Sequence, residues 1–251
     1  MILGLMALLA AGCAQGLTDP QKEALVILER ALTLLGGAEK LAAIETLQVT
    51  ATCVGPRGPY KTHIASRSNG DLYFRQVFPK WGERKGGLVG DQYWRQELHG
   101  EVETIDHRLA MVMRFHDFHR LVINMERRFS RLEAAENETF FGVEAQKVEM
   151  RDELGQPAAA YFSASIGLPL GFAITDPDRP DSAFITVRLG KWQQVGDVIL
   201  FKQAILDEGD YTFQFNYVDI RLNPDIDSLL VIPGSEPDLP DTTGSDITIE
   251  G

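Results

Sequence analysis

The sequence predicts a mainly β protein with a few helices, an α+β fold built on an antiparallel sheet. Near the N-terminus, leucines recur with helical spacing, and at Thr46 this pattern changes to alternation of apolar and polar residues. Short strand-like runs then follow one another, separated by turns rich in Gly, Pro, Asn and Asp. Only the run from 104 to 125 interrupts them with a helical pattern. Consecutive strands without intervening helices favour an antiparallel meander.

The chain begins with an uncharged run, Ile2 to Ala11, that ends in small residues just before Cys13. This run is too short to span a bilayer permanently, but it suits a secretory signal sequence. The Leu-Ala-Ala-Gly-Cys run at 9–13 resembles the lipobox of bacterial lipoproteins. The resemblance implies that residues 1–12 are a signal peptide and that Cys13 is lipidated, for example with palmitate. An ordinary signal peptide with an incidental cysteine is the alternative.

The composition limits the possible partners. The 251 residues carry a net charge of −12, which argues against nucleic acid because phosphate backbones are bound through clustered Lys and Arg. It also argues against adsorption on anionic lipid, so membrane attachment would depend on acyl chains at Cys13. Only one other cysteine, Cys53, is present, and we interpret it as a small core residue. We expect no cofactor and no metal, and a monomer.

The first predicted element is a helix from Leu17 to Leu35. Thr18 or Asp19 can cap its first turn, and Pro20 suits the first helical position. Its apolar stripe comprises Leu25, Ile27, Leu28, Ala31, Leu32, Leu34 and Leu35. Gly36 and Gly37 end it, and a short second helix follows over 38–44.

Strands are predicted from Thr46 onwards. The first, Thr46 to Cys53, alternates apolar and polar residues, and Asn69-Gly70 suggests a tight hairpin. The other predicted strands are 60–67, 72–78, 87–89, 92–98, 128–132, 139–151, 157–163, 172–175, 183–194, 198–206 and 211–220. We read 176–181 as a loop and 234–251 as an acidic disordered tail, which leaves one domain over 13–233.

The run from Thr104 to Met125 is predicted to be one long inserted helix, because apolar residues recur mostly every three or four positions. His116 and His119 could share a face of this helix and bind a metal, as in a metal hydrolase. No third ligand and no His-Glu-x-x-His run is evident, so we interpret both as solvated histidines on its polar face. No nucleophile or phosphate-loop motif is present either, and we predict that the protein is not an enzyme.

The last predicted strand carries an aromatic face formed by Tyr211, Phe213, Phe215 and Tyr217. Such a face either lines a cavity or packs in a core, and the sequence leaves both interpretations open.

The order of a capped helix, a Gly-Gly break and a meander with one inserted helix resembles the LolA/LolB-like family of lipoprotein-sorting proteins. Five short phrases add to this: 35–44 (LGGAEKLAAI), 91–94 (DQYW), 141–148 (FGVEAQKV), 165–169 (SIGLP) and 217–224 (YVDIRLNP). The resemblance covers roughly residues 18 to 233. It implies an open antiparallel half-barrel with an apolar concave face, an N-terminal helix and an inserted lid helix.

This resemblance implies a lipid-anchored envelope protein that binds an acyl chain or lipidated ligand, with a role in lipoprotein or lipid trafficking. We expect the cavity and lid to include Leu109, Met113, Phe115, Phe118, Phe213 and Phe215. Family members hold the lid with a cavity-facing arginine, for which Arg75, Arg84 and Arg95 are candidates on early strands. The residue after the cysteine is Ala14 and not Asp, which resembles the enterobacterial sorting rule for export and implies an outer-membrane anchor facing the periplasm. The alternative is a non-catalytic scaffold protein with a self-filled core.

Overall fold

The computed structural model describes residues 17–175 and 184–233. The apolar leader with Cys13, the 176–181 loop and the 234–251 tail lie outside the described residues. The helices are α1 Asp19–Leu34, α2 Ala38–Ala42, α3 His107–Phe115, α4 Phe118–Ile123 and α5 Met125–Arg128. The strands are β1 Thr46–Gly55, β2 Gly58–Arg67, β3 Leu72–Phe78, β4 Gly82–Val89, β5 Gln92–Gln96, β6 Val102–Thr104, β7 Ser130–Ala134, β8 Glu138–Phe140, β9 Val143–Arg151, β10 Pro157–Ser163, β11 Pro169–Thr175, β12 Phe184–Val195, β13 Val198–Asp207 and β14 Thr212–Leu222.

The strands form one antiparallel sheet in the order β6-β5-β4-β3-β2-β1-β14-β13-β12-β11-β10-β9-β7, with β8 paired to β9. Every neighbour in this order is also a neighbour in sequence except at two places. β14 returns to pair with β1, with Cys53 opposite Phe215, and β7 pairs directly with β9. β6 and β7 remain at opposite edges, so within the described chain the sheet is an unclosed half-barrel, as predicted.

A single large core covers one face of this sheet. It joins α1, through residues such as Ile27 and Leu28, to β1, to α4 and to the later strands up to β14. On the other face, the segment after β14 packs Ile226 and Leu230 against Ala65 of β2. The buried residues of this core run from Ala24 to Tyr217, so all of them lie within residues 14–251.

The N-terminal helix is confirmed, and its ends follow from local chemistry. The Thr18 N–H donates to Gln21 Oε1 at 3.0 Å, which is one half of a capping box. Gly36 has a φ of 119°, and a Cβ at this position would lie 2.8 Å from the carbonyl oxygen of Asp197. Only glycine allows this close approach of the helix end to the β12–β13 turn.

The prediction of one long helix over 104–125 is wrong, because the chain forms three short helices there. Asp117 has a non-helical ψ of 70°, and its carboxylate accepts a hydrogen bond from the Arg120 N–H, which starts α4 afresh. Asn124 is also non-helical, with a φ of −122°, and separates α4 from α5. None of the described helices combines the length and apolar character that crossing a bilayer requires.

Two strand predictions also need correction. The run 139–151 is a hairpin of β8 and β9, turned by Phe141 and Gly142, both of which have positive φ. Residues 102–104 form the short edge strand β6, although we assigned Thr104 to the inserted helix. Both were missed because short edge strands carry little alternation.

Candidate functional site

The three short helices between β6 and β7 form a lid over the concave face. The chain leaves β6 at one edge of the sheet and enters β7 at the opposite edge, so residues 107–128 must cross the opening between them. We call this segment the lid. It is therefore tethered to the half-barrel at both ends.

The middle of the lid is a plug rather than a loose cover. All six residues of α4, Phe118 to Ile123, are buried. The ring of Phe118 packs edge-on against Phe215 of β14 at 5.5 Å and against Phe115 at 6.1 Å. The concavity beneath α4 is consequently filled by side chains of the protein itself.

The interpretation of the two histidines as solvated is wrong. His119 is 1% exposed and stacks on Phe201, with ring centroids 4.0 Å apart and an interplanar angle of 9°. Its Nε2 lies 3.1 Å from the Phe201 carbonyl oxygen, which can only accept, so the neutral Nε2–H tautomer fits. Burial lowers the pKa of His119 to about 3. Sequence reasoning failed because α4 buries its whole circumference, including the side assigned to solvent.

His116 is half-buried, and its Nδ1 lies 2.9 Å from the Val112 carbonyl oxygen. Burial lowers its pKa as well. Within the described ranges, no three His, Cys, Asp or Glu side chains converge as a metal site would require.

Arg120 fastens the lid to the half-barrel. Its side chain is 2% exposed, and burial lowers the pKa of its guanidinium. The guanidinium donates to the carbonyl oxygens of Ile44 at 2.7 Å, Glu45 at 3.0 Å and Ser66 at 3.1 Å. It also donates to Ser66 Oγ and Asn124 Oδ1. These contacts join α4 to the α2–β1 connection and to β2.

The sequence-based candidates for this role do not take it. Arg75 pairs with Glu83, Arg95 pairs with Glu103, and Arg84 donates to Gln76, all between neighbouring strands. The signal that could have identified Arg120 is its position as one arginine inside the apolar run Phe118 to Ile123. A charge in such a run is buried only when it is fully hydrogen-bonded.

The predicted cavity residues are divided among several places. Leu109, Met113 and Phe215 line a cavity of about 160 Å³ between α3 and the early strands, which we call the sheet cavity. Phe115 lines a cleft of about 50 Å³ beside β11 and β12, whereas Phe118 is solid core. Phe213 lies at the end of the sheet near Gly55.

A larger apolar space lies between the N-terminal helices and the lid, with a volume of about 420 Å³. We call it the helix groove. Its walls include Leu25, Leu28 and Leu32 of α1, Leu41 of α2, Ile123 of α4 and Met125 of α5. Leu25 is 46% exposed although it belongs to the apolar stripe of α1. Ligand sites usually enclose about 300–1,000 Å³, so the helix groove has a suitable size and the sheet cavity is small.

The fold places this protein in a structural class: an open antiparallel half-barrel with a helical lid that borders an apolar groove. The chain has a LolA-like fold, as comparison with solved structures shows. A LolA superfamily protein from Nitrosomonas europaea superposes with a TM-score of 0.58 at 13% identity, over 83% of this chain and 97% of the other. A DUF1329 family protein from Desulfovibrio piger gives 0.55 at 14% identity, over 82% and 94%. No family model and no curated protein matches the sequence.

Proposed function

We propose that this protein is a lipid-anchored component of the bacterial cell envelope that binds an acyl chain or lipidated ligand, without catalysis. The observation that carries the proposal is the helix groove, an apolar space of about 420 Å³ in a LolA-like fold. Transfer of one CH₂ group from water contributes about 0.8 kcal/mol, so ten methylenes contribute about 8 kcal/mol before the cost of association. The implied role is lipoprotein or lipid trafficking.

The test is native mass spectrometry of residues 14–251 after incubation with palmitate, because this chain contains every buried residue of the large core. We expect a one-to-one complex. Leu25→Glu places a carboxylate in the groove wall and should weaken binding at least tenfold. Val26→Glu is the matched control, since Val26 is the next residue of α1, is 64% exposed and does not line the groove. Absence of palmitate uptake, or equal weakening by both variants, would count against the helix groove as the binding site.

The membrane anchor is part of the same proposal. Of the two cysteines, Cys53 is 1% exposed, and burial raises the pKa of its thiol to about 12. Cys53 is therefore a poor acyl acceptor, because the thiolate is the nucleophile. We expect Cys13→Ser to abolish incorporation of labelled palmitate and to release the protein from membranes, whereas Cys53→Ala should leave both unchanged. Palmitate labelling of the Cys13→Ser variant would contradict the proposed lipid anchor at Cys13. Fractionation of the membranes of cells that carry the wild type would test the outer-membrane location.

A second candidate is a scaffold protein whose half-barrel holds no ligand. The complete burial of α4 favours it, because Phe118 and its neighbours already fill the part of the concave face beneath α4. The same mass spectra separate the two candidates. Protein that stays ligand-free with palmitate and with phospholipid would support the scaffold.

A further inference from the structure

A polar pocket of about 310 Å³ lies between the lid and the β2–β3 turn. We call it the arginine pocket, because five arginines line it: Arg67, Arg114, Arg120, Arg127 and Arg128. Three carboxylates, Asp71, Asp117 and Glu153, lie among them, so the lining side chains carry a formal charge of +2. A fourth carboxylate, Asp227, lies outside the lining and pairs with Arg67. This concentration of positive charge is unexpected in a chain whose net charge is −12.

The carboxylates leave part of the positive charge without a direct partner. Glu153 alone serves two arginines, with Arg114 Nη1 at 3.3 Å and Arg128 Nε at 2.8 Å. Arg114 Nε is buried and has no acceptor among the described residues. Arg127 is exposed, and none of the ion pairs among the described residues includes it. Asp71 is occupied by Arg67, Asn69 and the Gly90 N–H.

Each arginine would contribute differently to an anion. The N–H groups of Arg120 are used by protein acceptors, so it adds positive charge but no free donor. Arg114 Nε and the exposed guanidinium of Arg127 retain donors. Guanidinium groups suit phosphate because their planar N–H groups pair with two oxygens at once.

The arginine pocket adjoins the helix groove. Asn124 and Arg127, at the α4–α5 junction, line both. One side of this junction is therefore mainly apolar, although Glu29 and Glu126 also line it, and the other side is cationic. A molecule with an acyl chain and an anionic head could occupy both spaces at once.

We infer that the arginine pocket binds the phosphate headgroup of an anionic phospholipid whose acyl chain lies in the helix groove. This inference rests on the proposed function, because it assigns a headgroup to the ligand of the same groove. Its content beyond that function is selectivity: at equal acyl chains, an anionic phospholipid binds better than a zwitterionic one.

The test uses residues 14–251 and phosphatidylcholine vesicles that contain 10% of either dioleoyl-phosphatidylglycerol or isotopically labelled dioleoyl-phosphatidylcholine. After the vesicles are removed, native mass spectrometry measures the lipid that the protein retains. We expect about a tenfold preference for phosphatidylglycerol, which the Arg127→Glu variant loses. Arg108→Glu is the matched control, because Arg108 is exposed on α3 and does not line the pocket. A parallel titration with inorganic phosphate separates a lipid headgroup from the free ion.

The outcomes are distinct. Equal retention of both lipids by the wild type would overturn the headgroup site and leave the acyl-binding function intact. If the protein retains neither lipid, both the proposed acyl-binding function and the headgroup site are contradicted. If Arg108→Glu reduces the preference for phosphatidylglycerol as much as Arg127→Glu does, the preference reflects overall charge. That result would refute the arginine pocket as the headgroup site. Saturable phosphate binding without lipid preference would identify a free-phosphate site instead.

Discussion

Replacing Arg120 with methionine tests whether this side chain fastens the lid. Methionine is apolar and unbranched, and it would remove the hydrogen bonds that Arg120 donates to the carbonyl oxygens of Ile44, Glu45 and Ser66. Glu45 keeps a second donor, the Ser68 N–H at 2.8 Å, so the loss falls mainly on the other two. An acceptor stranded in this way costs about 1–3 kcal/mol. The guanidinium no longer has to be desolvated, which offsets part of the loss. We expect a net destabilisation of about 3 kcal/mol, equal to a fall in Tm of about 6–12 °C for a chain of this size.

Calorimetry of residues 14–251 measures the shift, with Arg108→Met as the control, because Arg108 is an exposed lid arginine. A surface change of this kind usually stays within about 0.5 kcal/mol. Hydrogen exchange should also show faster exchange of the α4 amides in the Arg120→Met variant. If Arg120→Met and Arg108→Met have the same Tm and the α4 amides stay protected from exchange, Arg120 does not hold the lid.

Three further outcomes follow from buried groups. His119 has a folded pKa of about 3, below the ordinary value of 6.5, so the unfolded chain takes up a proton first as pH falls. The contribution of His119 to the free energy of unfolding is present above pH 6.5, and about 2 kcal/mol of it is lost between pH 7 and pH 5. Urea unfolding at several pH values should show that His119→Phe removes this pH dependence and that His99→Asn keeps it. Phe118→Ala should cost about 3–5 kcal/mol by the same assay, and a loss under 1 kcal/mol would contradict its core position. Cys53 should resist a maleimide at pH 8 until the chain unfolds, and rapid labelling of folded protein would show that it is accessible.

Much of the sheet could be predicted because alternation reports directly which residues face the core. Leu72–Phe78 and Pro157–Ser163 have the predicted bounds, and the first strand extends only two residues beyond Cys53. The helix from Asp19 was equally accessible, because its cap and its Gly-Gly end are local signals.

The lid could not be predicted in the same way, since its structure depends on distant contacts. Asp117 and Asn124 fit the polar face of a continuous helix, and only the burial of α4 on all sides makes them breaks. Arg120 finds its acceptors more than 50 residues away in sequence. The helix groove is likewise formed by α1 and by lid residues about a hundred positions later, such as Met125. No window of sequence contains both walls.

The burial of α4 decides how a ligand can enter. Burial of a side chain such as Phe118, Leu121, Val122 or Ile123 contributes about 1.5–3 kcal/mol, so withdrawing all four would cost about 6–12 kcal/mol. That cost is comparable to the whole stability of a typical domain, about 5–15 kcal/mol. Lifting α4 would therefore amount to unfolding the protein. The wall formed by α1 is different, because Leu25 is already half in solvent. A ligand that enters beside α1 would leave α4 and its Arg120 contacts in place, so the proposed site in the helix groove can be reached without lifting α4.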